Sequence, residues 1–149
     1  MSHHDIVLLG RVAVAFALSF VIGFERELRG APAGDRTFAL VGTGAAAITA
    51  VAFGPSPQTV AGVVTGIGFI GAGLVVRSGR GMLKGITSAA TIFAVAAIGI
   101  VAGSGHAVLA VIVAAVVLLD LELRYVPVLR LFDAGRYKGM DAERDDPRP

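Results

Sequence analysis

Five long apolar runs alternate with short polar connections along this chain. They cover about residues 6–24, 37–54, 58–76, 86–103 and 106–123. None carries the continuous polar face expected of a helix on a soluble domain. Each approaches the roughly 20 residues that a helix needs to cross a bilayer. The connections GPSP at 54–57 and GSG at 103–105 combine the residues that break helices with very short length, so neighbouring runs must be antiparallel. The pattern predicts an all-α polytopic integral membrane bundle of five transmembrane helices.

Composition agrees. Hydrophobic residues make up 55% of the 149 and charged residues 16%, against a usual charged share of roughly 25%. The charges are also segregated. No Asp or Glu occurs between Asp35 and Asp120, and no charge of either sign between Arg36 and Arg77 or between Lys84 and Asp120. The basic residues give direction. Arg26, Arg29 and Arg36 fill one connection, and Arg77, Arg80 and Lys84 another. Arg124, Arg130, Arg136, Lys138, Arg144 and Arg148 follow the last run. The two other connections and the N-terminal tail hold no Lys or Arg. Lys and Arg accumulate on the cytoplasmic side, so the N-terminus is expected outside and the C-terminus in the cytoplasm.

Residues 1–124 are then a membrane domain, and the polar, Pro-ended 125–149 a disordered cytoplasmic tail. The bilayer is the first partner. A net charge of +2 does not point to nucleic acid, and the absence of cysteine removes disulfides, thiolate chemistry and Cys-based metal sites. The first run lacks a basic n-region and is too long for an ordinary signal peptide. His3 and His4 are given no role.

The segment GIGFIGAG at 66–73 spells G-x-G-x-x-G, the fingerprint of a dinucleotide-binding turn. That turn needs a strand before it and an acid about 20 residues after it. Here it lies inside an apolar run, and the next acid after Gly73 is Asp120. No nucleotide partner or cofactor is expected. On a helix, Gly62, Gly66 and Gly73 share one side and Gly68 and Gly71 another. Small residues let helices approach closely in lipid. This predicts that the third run is the central helix, packed on both sides; a broken helix lining a cavity is the other reading.

The densest polar segment is GFERELRGAPAGDRT at 23–37. Glu25 and Arg29 stand at i,i+4 in the favourable order. Glu25 ends the first run and Arg36, with Thr37, opens the second. The GAPAG turn can bring those ends together, so Glu25 and Arg36 are expected to pair. Orientation alone would account for the arginines; it does not account for Glu25 and Glu27, because acids contribute little to it. The expected functional surface is Glu25, Arg26, Arg29, Arg36, Thr37 and Arg77.

Four other polar residues lie within or at the ends of runs. Arg11 must snorkel or find a partner. Asp120, with Glu122 beside it, either meets the basic residues at 77–84 or emerges into water. Thr87 and Thr91 share a helix face with hydroxyls able to bond the preceding turn, next to Ser88. His106 is a lone histidine at an interface. No catalytic set can be assembled from these residues, so no enzyme is expected; whether a metal binds is left open.

The segments GFERELRGAPAGDRTFALVGTGAA, GVVTGIGFIGAGLVV and GITSAATIFAVAAIGIVAG resemble, in that order, the membrane domain of the MgtC/SapB family. The resemblance covers about residues 8–123. It implies a bacterial inner-membrane protein tied to growth in low magnesium and, in pathogens, to survival in host cells. It also places Glu25, Arg26, Arg29, Gly34, Arg36 and Thr37 in the family's characteristic segment. Longer members carry a folded cytoplasmic C-terminal domain, so a short form is expected here. Phe93 stands where the family often has tryptophan. Two functions follow as expectations: a membrane regulator that contacts itself or other inner-membrane proteins, and an ion transporter or channel with magnesium as its cargo.

Overall fold

The computed structural model describes residues 2–52, 54, 56, 58–77 and 83–123. The expected tail at 125–149 lies outside them. The described residues form five α-helices: α1 (His3–Leu28), α2 (Asp35–Ala52), α3 (Gln58–Leu74), α4 (Ile86–Gly103) and α5 (Ala107–Glu122). Between α3 and α4 a two-residue strand, β1 (Val76–Arg77), pairs antiparallel with β2 (Leu83–Lys84). Residues 1–117 form one compact unit, and 118–149 a second, of which only the end of α5 and Leu123 are described.

Local chemistry explains the helix ends. Ser2 and Asp5 form a capping box: the Asp5 N–H donates to Ser2 Oγ at 3.2 Å, and the Ser2 N–H to Asp5 Oδ2 at 2.8 Å. α1 stops in a Schellman motif. Gly30 takes φ +68°, which L side chains avoid; its N–H donates to the Glu27 carbonyl and that of Ala31 to the Arg26 carbonyl. α4 ends the same way, with Gly105 at φ +96° and the His106 N–H donating to the Val101 carbonyl.

The core is a three-helix cluster of α1, α2 and α4, and α3 rests on α4 with little contact to α2. α1 presents Ala15, Ser19, Ile22 and Gly23, a stripe at helical spacing. α2 answers with Phe38, Gly42, Ala45, Ala46 and Thr49, and α4 buries Ser88, Ile92, Val95, Ala96, Gly99 and Gly103. Three glycines make the approach close. A Cβ on Gly42 would strike the Ser19 hydroxyl, and one on Gly99 the Gly42 carbonyl. A Cβ on Gly103 would stand 2.5 Å from the Ala46 carbonyl oxygen.

This corrects the expected role of the third run. Among the described residues a Cβ on Gly62, Gly66, Gly68 or Gly73 would meet nothing within 4 Å, whereas one on Gly71 would meet Ala89 of α4. α2 and α4, not α3, carry the packing. The physical reason is that glycine spacing marks a smooth face without saying whether a neighbour fills it. Only Ile67 and Gly71 of α3 are buried, and Phe69 is 84% exposed.

Large apolar side chains cover the outside. Leu40 and Val51 are each 70% exposed or more, and Phe16, Phe20 and Phe24 stack in a row along α1 with centroids 5.9 and 6.3 Å apart. A soluble monomer rarely shows so large an apolar surface. Two helices are long and apolar enough to span a bilayer: α1, with 26 residues and mean hydropathy 2.3, and α4, with 18 and 2.1. The other three are shorter or less apolar than expected. α3 has 17 residues and α5 16; at 1.5 Å per residue these reach only about 24–26 Å against a hydrocarbon core of about 30 Å. α2 carries Asp35 and Arg36 in its first turn.

Candidate functional site

The polar residues of 23–37 assemble where α1 ends and α2 begins. Gly23 makes this junction. A side chain there would stand 2.7 Å from the Asp35 Cα and 2.8 Å from the Phe38 Cβ, so the bare backbone lets the first turn of α2 lie against α1.

Glu25 pairs with Arg29 one turn on, Oε1 to Nε at 3.4 Å. Its other oxygen is buried without a partner among the described residues. Arg26 turns toward α4, where its guanidinium donates to the buried Ser88 hydroxyl at 3.5 Å. The expected pair of Glu25 with Arg36 does not form. Glu25 is already held by Arg29 on its own helix, and Arg36 stands beyond the turn beside a different acid.

That acid is Glu27. Its Oε2 accepts the Asp35 N–H at 3.1 Å and lies 2.5 Å from where a Cβ on Gly34 would be. A carboxylate at the start of a helix satisfies an orphan N–H and meets the positive end of the helix dipole. Asp35 Oδ1 accepts the next N–H, that of Arg36. Glu27, Ala31, Gly34, Asp35, Arg36 and Thr37 line a polar hollow of about 470 Å³. Glu27 was missed as a site residue because its partner lies across a turn, eight residues on. The signal available was an acid shortly before a glycine-closed turn.

The remaining sequence candidates lie elsewhere. Arg11 finds a partner rather than only reaching for the interface: its Nη1 donates to the Gly103 carbonyl at 3.2 Å, and its guanidinium covers Gly105. It thus places a cation at the C-terminal end of α4, where the helix dipole favours one. Thr91 donates to the Thr87 carbonyl at 2.7 Å, an ordinary bond to the preceding turn, and Thr87 is exposed. Arg77 lies in β1, with its side chain outside the described residues. Asp120 is exposed on α5. Sequence reasoning also passed over Ser19 and Thr49, both buried with hydroxyls that have no partner among the described residues. Nothing in a single sequence separates such a hydroxyl from one that bonds its own helix.

The model of the MgtC family matches residues 12–126. The chain belongs to the MgtC family. Among its relatives are SrpB of Synechococcus elongatus, 41% identical over 64% of this chain and 62% of that protein, and MgtC of Brucella abortus, 41% identical over 68% of this chain and 45% of that protein. YhiD of Escherichia coli K12, provisionally named a magnesium transporter, is 37% identical over 83% of this chain and 63% of that protein. The matches thus span about half to two thirds of these relatives. No solved structure matches the chain. With its two long apolar helices, this member of the MgtC family is a membrane protein. Among the described residues no group of three or more His, Asp or Glu could hold a metal ion.

Proposed function

We propose that this protein is a non-enzymatic inner-membrane regulator linked to magnesium homeostasis, acting through protein contacts at the α1–α2 junction. All five helices cross the bilayer in this reading, with the N-terminus outside and the junction in the cytoplasm. The chain is multi-pass, and its partners are other inner-membrane proteins or a second copy of itself.

One observation carries the reading. The polar segment 23–37 forms an ordered junction between α1 and α2, where Glu27 and Asp35 each spend one oxygen on a backbone N–H while Arg36 and Thr37 stay exposed. That arrangement presents an ordered polar surface. The family's link to low magnesium and the name of YhiD support magnesium as the physiological context.

Transport is the second reading, and the buried hydroxyls of Ser19 and Thr49 favour it. Against it, the glycine contacts among α1, α2 and α4 bring backbones together where a path would run. Magnesium takes oxygen ligands, commonly one or two carboxylates with retained waters, and no Asp or Glu lies between Asp35 and Asp120. Purified protein in liposomes, assayed for magnesium flux, decides between the two. No protein-dependent flux is expected, and its detection would overturn the regulator reading.

A further inference from the structure

An open groove of about 630 Å³ runs between α2 and α3. That volume falls within the roughly 300–1,000 Å³ of small-molecule sites. The two helices diverge because α3 leans on α4. Gly44, Gly62 and Gly66 leave the groove open, since among the described residues nothing lies within 4 Å of where a Cβ on each would stand. Apart from Thr59, the lining is apolar.

Leu40, Gly44 and Ile48 recur every fourth residue along the α2 wall. One turn before Leu40, on the same line, stands Arg36. It is exposed, and its guanidinium has no partner among the described residues. Arg36 also lines the polar hollow with Thr37, Glu27 and Asp35. The α2 wall therefore carries an apolar trough and then a cation, and the hollow around that cation adds the carboxylates of Asp35 and, from the end of α1, Glu27.

We propose that the groove and the hollow together bind one amine-headed phospholipid, phosphatidylethanolamine, from the leaflet beside the α1–α2 turn. The acyl chain lies in the groove, the phosphate meets Arg36 and the Thr37 hydroxyl, and the ammonium meets the free oxygens of Glu27 and Asp35. Length selects a lipid over a helix. From Leu40 to Ile48 the trough runs about 12 Å at 1.5 Å per residue. Half of a hydrocarbon core of about 30 Å is about 15 Å, so the trough suits one leaflet's chain rather than a crossing helix. Charge selects the headgroup. A purely anionic head would face two carboxylates with one cation, whereas a phosphate joined to an ammonium satisfies both signs. The inference rests on the membrane placement of α2 and α3 proposed above.

The test is native mass spectrometry of the purified full chain, titrated with phosphatidylethanolamine or with phosphatidylglycerol of the same acyl chains. The amine lipid should be retained about tenfold better, the worth of one charge-assisted hydrogen bond. Gly62→Leu, which fills the trough, and Arg36→Gln, which removes the phosphate contact, should each reduce its binding by a similar factor. Gly73→Leu, which also meets open space but lies outside the groove, should leave it unchanged. Equal retention of the two lipids would overturn the proposal, as would full binding by Gly62→Leu. A dimer that Gly62→Leu dissociates would give the groove to a second copy and overturn it too. Cysteine labelling at Pro32 and Ser56 reads the placement of α2 without any lipid titration, so failure of that placement is told apart from failure of the lipid site.

Discussion

Gly42 and Gly66 are alike as letters, each flanked by apolar and small residues. Their surroundings differ. Gly42 has the Ser19 hydroxyl where a Cβ would go, and Gly66 has open space. Gly42→Leu should cost about 2–3 kcal/mol, because the core must open to admit it. Gly66→Leu should be nearly neutral, and thermal melts of both variants in detergent provide the comparison. The acids of the junction divide similarly. Glu27→Ala should cost about 1 kcal/mol by removing the carboxylate at the start of α2. Glu25→Gln should reach normal abundance in the membrane and yet fail to support growth in low magnesium. Its full growth would remove Glu25 from the functional surface.

At the scale of helices, α2 and α4 hold the bundle together and α3 is peripheral. Half of α4's apolar window is buried, against 22% for α1. Substitutions on α4 should therefore propagate further than those on α3. Gly99→Val should abolish folded protein in detergent extracts, as judged by size-exclusion profile, while Gly68→Val should leave the profile unchanged. The arrangement across the membrane is read at this scale too. Cysteines at Ser56 and His106 should react with an impermeant thiol reagent added outside intact cells, and one at Pro32 should not. Pro32 is exposed in the α1–α2 turn, whereas its neighbour Ala33 is 3% exposed and would label poorly from either side. Labelling at position 32 from outside would reverse the orientation.

For the molecule as a whole, the division between a tightly packed α1–α2–α4 core and an ordered polar junction is what favours contact over conduction. Reconstituted protein should leave magnesium flux at the level of empty liposomes. The same protein carrying Arg36→Gln should lose the ability to restore growth in low magnesium at unchanged abundance. If flux appears and falls with Ser19→Ala or Thr49→Val, the buried hydroxyls line a path and the chain conducts.

The sequence alone determined the helical class, the apolar runs, the family and the location of the polar segment. These follow from hydropathy, turn chemistry and motif, which act over short stretches of chain. It also found the Glu25–Arg29 pair, whose partners are four residues apart on one helix. Only the tertiary structure decided which glycines touch a neighbour, that Arg11 caps α4 across the bundle, and that Glu27 rather than Glu25 stands beside Arg36. Each of those depends on how two helices meet, and a residue's own letter carries no record of what packs against it.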